Sequence, residues 1–536
     1  MSATVPMLTS IKSQWDSIHA APVIGKDVLE LLSSSMYINP LAIFREYVQN
    51  SADSIDEAVG LGLLRSQKEG RVEINIDPQE RSVTIRDNGT GIPRSQFATR
   101  LTALGASRKR GTKARGFRGV GRLAGLGYCQ ELLFRSRADG EREISELRWD
   151  CRRLKTILRD AQFADELGDL IQQVVRVRRH VDTSLPERFF EVQLLGIVRH
   201  GSDALVNSAV VEAYLSQVAP VPFSPEFSLA RDIETALAQL NATSDLRIFL
   251  NGSETPLFRP HRNSFPVRKG LSDSFTALEV FQIEGSTGTP SAVGWVAHHG
   301  YHGAISSESK ISGLRLRSGN MQIGESDLLN GLFQESRFNS WVVGEIHVLD
   351  ERILPNGRRD HFEQSVHFND LVNQLAPIAN DLSRRCRISS VQRNWLRQFD
   401  LTKSGIDQAM SVLQQGAVPQ SRRKYIEDEI ENSLDHLRKI CSNKAFDATA
   451  KSGLTKKLER LETKVERAIA EKQEHKSLIP LPTRDRRTYE YLFSLIYECS
   501  TTQTAAKALV DQLLKRIGEG GSKRSTLPHR AKSKSD

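Results

Sequence analysis

The sequence predicts an α+β protein built from two successive α/β domains and a helical C-terminal region, with a basic tail after it. Three observations predict this. A helical pattern from Pro40 to Val59 runs into "VEINI" and "SVTIRD", two runs that alternate in twos like paired strands. Strand-like runs separated by turn-rich loops then fill the chain between about Phe189 and Asp350, and from about Leu371 the pattern becomes helical as far as Ile517.

Taken in order, the first domain is expected over 1–185. Its opening helix leads into a hairpin closed by "DPQE", then into the loop "DNGTGIP", a short helical stretch and the basic glycine-rich segment "GASRKRGTKARGFRGVGRLAG". The runs "QELLFRSR" and "EISELRWD" read as further strands. A second α/β domain is expected over 186–370 from "FEVQLLGIV", "LRIFLNG", "ALEVFQIE" and "WVVGEIHVLD", with one helical pattern near Ala204 to Val218. The helical region, 371–517, contains "LTKKLERLETKVERAIAEK". There Leu454, Leu458, Leu461, Val465 and Ala468 recur at steps of four and three, as a packing stripe in a helical bundle. "SLIPLPTRDRR" reads as a break between helices, and 518–536 as a disordered basic tail.

Composition narrows the function classes. With 39% hydrophobic and 26% charged residues the chain is of soluble globular type, and no apolar run approaches the roughly 20 residues that span a bilayer. The N-terminus has neither a basic start nor an apolar core, so a cytoplasmic location is expected, with no membrane partner. Five scattered cysteines form no CxxC and suggest neither a disulfide framework nor a cysteine-rich zinc site. A net charge of +9 suits an anionic partner. From Ser107 to Arg122 there are seven basic residues and no acid, set among glycines, and the tail holds Lys523, Arg524, Arg530, Lys532 and Lys534.

Chemistry concentrates in the first domain. In "FREYVQNSADSIDEA", Glu46, Asn50 and Asp53 are spaced by four and then three residues, which puts a carboxylate, an amide and a second carboxylate on one helix face. A solvated charged face is the plain explanation of that spacing. A nucleotide site offers another. Asp87 can accept from the exocyclic amine of adenine, with Gly89 and Gly91 letting the backbone approach the flat ring. "GFRGVG", with Gly116, Gly119, Val120 and Gly121, opens a predicted helix whose N–H groups suit phosphate. Asn50 can bind Mg²⁺ through its oxygen, and Glu46 can activate water.

The ordered set ExxxNxxD, DxGxG, basic glycine-rich loop and GxxGxG resembles the ATP-binding domain of the GHKL superfamily, which includes gyrase, ninety-kilodalton heat-shock chaperones, histidine kinases and MutL, over residues 35–137. The resemblance implies a two-layer α/β sandwich that binds ATP and Mg²⁺. It implies hydrolysis, because Glu46 matches the catalytic glutamate that histidine kinases lack, and Asn50 the magnesium-binding asparagine. Asp87 and Gly91 match the adenine-reading pair, with Asp53 and Gly89 beside them, and Gly116, Gly119 and Gly121 match the phosphate loop. Ala106 to Arg115 resembles the mobile lid, whose Ser107, Arg108, Lys109 and Lys113 would meet phosphate.

Within the second domain, "LPNGRRDHFE" is similar to the chaperone middle-domain loop whose arginine reaches the γ-phosphate, a position taken by Arg359 or, failing it, Arg358. A surface Arg-Asp turn is the plainer reading of the same residues. One departure is present. Where the family has Gly-Thr leading into a late strand of the ATPase domain, "RFFEVQLLG" offers Phe190 and Glu191, which leaves part of the adenine pocket unassigned. The implied whole is a homodimeric ATPase clamp resembling the ninety-kilodalton chaperones, with lid closure and N-terminal docking on ATP and an unknown polypeptide client. Its rival is a clamp on DNA similar to MutL or the microrchidia ATPases, favoured by the basic lid and tail. The histidines of "HHGYH" are read as a solvated turn rather than a metal site.

Overall fold

A computed structural model describes residues 25–30, 39–105, 121–160, 162, 166–199, 201–243, 245–268, 270–286, 288–415, 418, 420–470 and 486–523. The chain divides into two compact units, 1–383 and 384–536.

The first unit begins with a short turn of helix, α1 (Asp27–Glu30), and then α2 (Ala42–Gly60). No proline interrupts α2. It starts where the Asn39 side chain accepts from Leu41 N–H, and ends with Leu61 N–H bonded back to Glu57. The expected hairpin forms as β1 (Arg71–Asp77) and β2 (Ser82–Asp87), followed by α3 (Arg94–Thr102), β3 (Glu131–Arg137) and β4 (Ile144–Asp150). Next come α4 (Cys151–Arg159), α5 (Leu167–Val174), β5 (Val175–His180), β6 (Phe189–Leu195), α6 (Ser208–Val218), α7 (Ala230–Ala238) and β7 (Arg247–Leu250).

These seven strands form one sheet in the order β5-β4-β3-β6-β2-β1-β7, antiparallel except for the parallel pair β1/β7. The expected boundary at 185/186 is therefore misplaced. β6 is an interior strand of the first sheet and β7 closes its edge, so that sheet continues to Leu250.

Alternation gives the sheet two unlike faces. Val72, Ile74, Val83, Ile85, Leu132, Phe134, Leu147, Trp149, Val192 and Leu194 form one core with Ile43, Phe44, Tyr47, Val48 and Ile55 of α2. Each fully buried large side chain there contributes about 1.5–3 kcal/mol. On the opposite face, register aligns Arg178, Glu146, Arg135, Glu191, Arg86 and Glu73 across six strands. Their charges alternate. Glu191, fully buried under its neighbours, accepts from Arg135 Nε and Arg86 Nε, each at 2.7 Å.

The second sheet has the order β10-β11-β14-β12-β13, from β10 (Ala277–Glu284), β11 (Pro290–His298), β12 (Gly313–Ser318), β13 (Met321–Ile323) and β14 (Val343–Val348). A separate hairpin, β8 (Ser264–Arg268) and β9 (Leu271–Ser274), precedes it. Phe223, Phe227, Ile233, Phe265, Val293 and Trp295 form a core here. Bordering it is a buried ionic group in which Glu345 accepts from Arg317 Nε at 2.7 Å and pairs with Arg259, with His347 Nε2 at 3.2 Å.

Helix α8 (Val366–Gln414) begins five residues before the expected Leu371. The second unit continues with α9 (Gln420–Cys441), α10 (Ala448–Ala470), α11 (Arg486–Cys499) and α12 (Gln503–Lys523). Leu454, Leu458, Leu461, Val465 and Ala468 of α10 are all buried, in a core with Ile426, Ile430, Leu434 and Leu437 of α9. Most of the expected break "SLIPLPTRDRR" and of the basic tail lies outside the described residues, although α12 reaches Lys523. Among the described residues, no helix is long and apolar enough to cross a membrane.

Candidate functional site

Helix α2 is buried along most of its length, and its polar residues are buried with it. Glu46 is 7% exposed and Asp53 6%, while Asn50 is half-buried. A solvated face therefore does not account for the two carboxylates. A carboxylate removed from water needs a compensating charge or hydrogen bonds. Glu46 has the charge: Arg359 Nε donates to its Oε1 at 3.1 Å, and Arg45 Nε lies 4.0 Å from the same oxygen. On the other carboxylate oxygen there is no room to spare, because a Cβ at Gly121 would collide with Oε2.

The neighbouring residue, Tyr47, fixes the segment after Gly121. Its hydroxyl donates to the Arg122 carbonyl at 3.1 Å and accepts from Gly125 N–H at 3.0 Å. The segment from Gly121 to Gly127 is a 3₁₀ helix. The rest of the phosphate-loop and lid assignment, Ser107, Lys109, Lys113, Gly116, Gly119 and Val120, lies outside the described residues.

The second part of the site is the loop leaving β2. Asp87 is 2% exposed and its Oδ1 accepts from Gly89 N–H at 2.9 Å, folding the chain back at once. Thr90 N–H donates to Ser54 Oγ of α2 at 3.0 Å, and Arg188 Nε holds the Gly89 carbonyl at 2.8 Å. Gly91 has φ +65°, and a Cβ there would stand 2.5 Å from the Arg137 carbonyl, so neither conformation nor space admits a side chain. Helix α2 thus touches both parts, with Glu46 and Ser54 separated by about 12 Å along its axis at 1.5 Å per residue.

Register resolves one open position. Asp87 pairs with Phe190, which places the two side chains on the sheet face that α2 covers. Phe190 stacks on Phe134 at 6.1 Å. Glu191 points to the opposite face, into its pairs with Arg86 and Arg135, and cannot serve the side of the sheet where Asp87 stands.

The third part comes from the second half of the unit. Residues 354–363 form a closed turn, with Pro355 and Phe362 bridged, Glu363 N–H on the Leu354 carbonyl at 2.7 Å and Asn356 N–H on the His361 carbonyl at 2.9 Å. Arg359 sits at its corner with φ +57°, buried, and Arg358 is exposed. Of the two arginines, Arg359 is the one beside Glu46. It is not a surface Arg-Asp turn.

Arg45 is a site residue that sequence reasoning missed. Its Nη2 donates to the Arg358 carbonyl at 2.7 Å and its Nη1 to the Arg359 carbonyl at 3.4 Å, so it grips the loop that carries Arg359. The available signal was its adjacency to Glu46. Tyr214 of α6 is half-buried within range of the same charges. Burial pushes its phenol up to about 12, and the charges of Arg45, Glu325 and Glu46 act on it.

The donors present suit a nucleotide and its metal. A buried carboxylate at the end of β2 can take an amine N–H, and an amide oxygen at Asn50, one turn beyond Glu46, is a hard ligand of the kind Mg²⁺ accepts alongside phosphate oxygens. Two histidines of "HHGYH" are engaged elsewhere, and the third, His302, is exposed. His298 bonds Tyr301 and Glu279, and His299 bonds Asp273 and the Trp341 carbonyl. Among the described residues no group of three or more His, Cys, Asp or Glu side chains is arranged to hold a metal ion.

Residues 41–164 match the family described as "Histidine kinase-, DNA gyrase B-, and HSP90-like ATPase". The chain is also similar to the chaperone protein HtpG of Geobacter metallireducens, 22% identical over 214 residues covering 36% of this chain and 32% of that protein. HtpG of Escherichia coli K12 is 26% identical over 142 residues, covering 23% of each chain. The match thus spans about a third of the length of such relatives or less.

Proposed function

We infer, from a chain whose residues 41–164 match the GHKL, HSP90-like ATPase family, that it hydrolyses ATP to ADP and phosphate, with residues of both halves of its first unit at the γ-phosphate. The observation that carries this is the Glu46–Arg359 pair, 3.1 Å between Oε1 and Nε across 313 residues of sequence. In the reaction Glu46 takes a proton from a water as its oxygen attacks the γ-phosphorus, and the bond to the β–γ bridging oxygen breaks, leaving ADP. Glu46 can accept that proton only with an oxygen free. Arg359 therefore leaves Glu46 for the γ-phosphate, where a guanidinium is a strong bidentate partner, and this single exchange frees the base and places a cation against the developing charge.

Asp87 holds the adenine amine, with Gly91 giving the ring access and Phe190 standing next to it. Asn50 would hold Mg²⁺, which when bound neutralises phosphate charge. Asp53, Gly89, Ser107, Lys109, Lys113, Gly116, Gly119, Val120 and Gly121 complete the nucleotide contacts in this reading.

The larger cycle is a homodimeric clamp. ATP closes the lid, 106–115, over its phosphates and docks two N-terminal domains; hydrolysis reopens them, with a polypeptide as the partner held. Similarity to proteins named as chaperones supports that partner. A clamp on DNA is the second reading, favoured by Arg148, Arg152, Arg153, Arg176 and Arg179, all exposed on β4, α4 and β5. The test is ATP turnover measured alone, with an unfolded polypeptide and with DNA. Stimulation by polypeptide supports the first reading, and salt-sensitive stimulation by DNA the second.

A further inference from the structure

A guanidinium that must change partners has to be delivered from a backbone that stays put. Arg359 has a left-handed backbone, which costs a residue bearing a side chain roughly 1–2 kcal/mol. Something must hold it there. Arg45 grips its carbonyl from the ATPase side. The second grip is Gly324 at the end of β13, whose N–H donates to the Arg359 carbonyl at 2.9 Å. Gly324 is itself left-handed at φ +68°, and a Cβ there would lie 2.8 Å from the Asp360 carbonyl. Its own position is set by one side chain. Gln322 Nε2 donates to the Gly324 carbonyl at 2.9 Å, while Gln322 Oε1 accepts from Arg315 Nη1 at 3.1 Å.

Gln322 is 2% exposed and Arg315 5%, so no water competes for these bonds. Arg315 in turn reaches Gln217 Oε1 of α6 at 3.3 Å and holds the Ser312 carbonyl at 3.2 Å. An unbroken run of hydrogen bonds therefore joins Gln217, Arg315, Gln322, Gly324 and Arg359.

We propose that Gln322 is a positioning residue for the ATPase reaction, acting through Gly324 to hold the Arg359 corner where its guanidinium can pass between Glu46 and a γ-phosphate. This rests on the reading that Arg359 serves that phosphate. Gln322 touches neither Glu46 nor the nucleotide. Its amide is suited to the role because it offers an acceptor to Arg315 and a donor to Gly324 from one planar group. A leucine offers neither, and a glutamate only the acceptor.

The test uses Gln322→Leu and Gln322→Glu in the full chain. Glutamate keeps the volume and the Arg315 pairing, which protects the fold, and turns the donor at Gly324 into an oxygen that repels its carbonyl. Both variants are expected to lower kcat by roughly 10-fold or more, the scale of a misplaced catalytic group, with the KM for ATP and the affinity for ADP unchanged. Combined with Arg359→Ala, neither should slow turnover further, since the arginine it positions is gone. Backbone hydrogen exchange without nucleotide provides a readout that does not depend on activity. Exchange at Gly324 should rise about 10-fold in both variants while the first sheet keeps its protection. Unchanged exchange at Gly324, or loss that adds to that of Arg359→Ala, overturns the proposal. Raised exchange with wild-type turnover overturns it as well, whereas wild-type turnover in Arg359→Ala alone overturns instead the role of Arg359 on which the proposal rests.

Discussion

Replacing Arg359 with alanine separates two effects that the geometry places on one side chain. In the absence of nucleotide, Arg359 balances a carboxylate that is 7% exposed. At 3.1 Å and an effective dielectric constant near 20, the attraction is about 5 kcal/mol before desolvation is subtracted. With Arg359 gone, Glu46 retains Arg45 at 4.0 Å, worth about 4 kcal/mol on the same scale. Arg45 thus keeps the carboxylate paired. The loss of folding stability should accordingly fall at or below the low end of the roughly 3–5 kcal/mol typical of a broken buried pair. With ATP bound the balance is different. Losing a preorganised cation at developing charge costs about 10²–10³-fold in kcat, and ADP, which has no γ-phosphate, loses nothing. Arg359→Lys should recover part of the rate, because it restores the charge without the fork. The assay is steady-state turnover alongside calorimetric ADP affinity. Equal loss of ADP and ATP affinity, or wild-type turnover in a folded variant, refutes the reasoning.

Three further outcomes are expected. Asp87→Asn should abolish ATP binding, since an amide can present an NH₂ to the adenine amine, and calorimetry showing unchanged affinity would exclude the base site proposed. Glu345→Gln removes the carboxylate shared by Arg259 and Arg317 and leaves two buried guanidiniums without their counter-charge, so chemical denaturation should show a loss of about 3–5 kcal/mol; a loss under about 1 kcal/mol would contradict the ionic account of this core. Burial pushes His261 down to about 3 and His347 down to about 4, against about 6.5 in the unfolded chain. The unfolded state then binds more protons as pH falls, so stability is fully present above about 6.5 and declines toward pH 4, by about 1.4 kcal/mol per pH unit for each histidine. A urea midpoint flat between pH 6.5 and 4 would count against it.

Much of the first half of the site was legible in the sequence because it depends on local spacing. Glu46, Asn50 and Asp53 share a helix, and Asp87, Gly89 and Gly91 share a tight loop. The same holds for the α10 stripe, where helical periodicity alone selects the buried residues. What was not legible depends on pairing between distant segments. Alternation identifies β6 and β7 as strands but is silent on which sheet receives them, and both joined the first. Register decided that Phe190 faces with Asp87 and Glu191 faces away, and two residues adjacent in sequence cannot be assigned to opposite faces until the partner strand is known. Arg45 belongs to the same class. Its hydrogen bonds go to the carbonyls of a loop 313 residues downstream, and beyond its adjacency to Glu46 no spacing rule points there.

The most direct measurement is ATP turnover and ATP affinity of Glu46→Ala beside the unaltered chain. Glu46 has Arg359 on one oxygen and Gly121 against the other. The account predicts affinity near that of the unaltered chain and turnover lower by roughly 10²-fold or more, the range expected for loss of a general base. Hydrolysis by Glu46→Ala at the unaltered rate would contradict it.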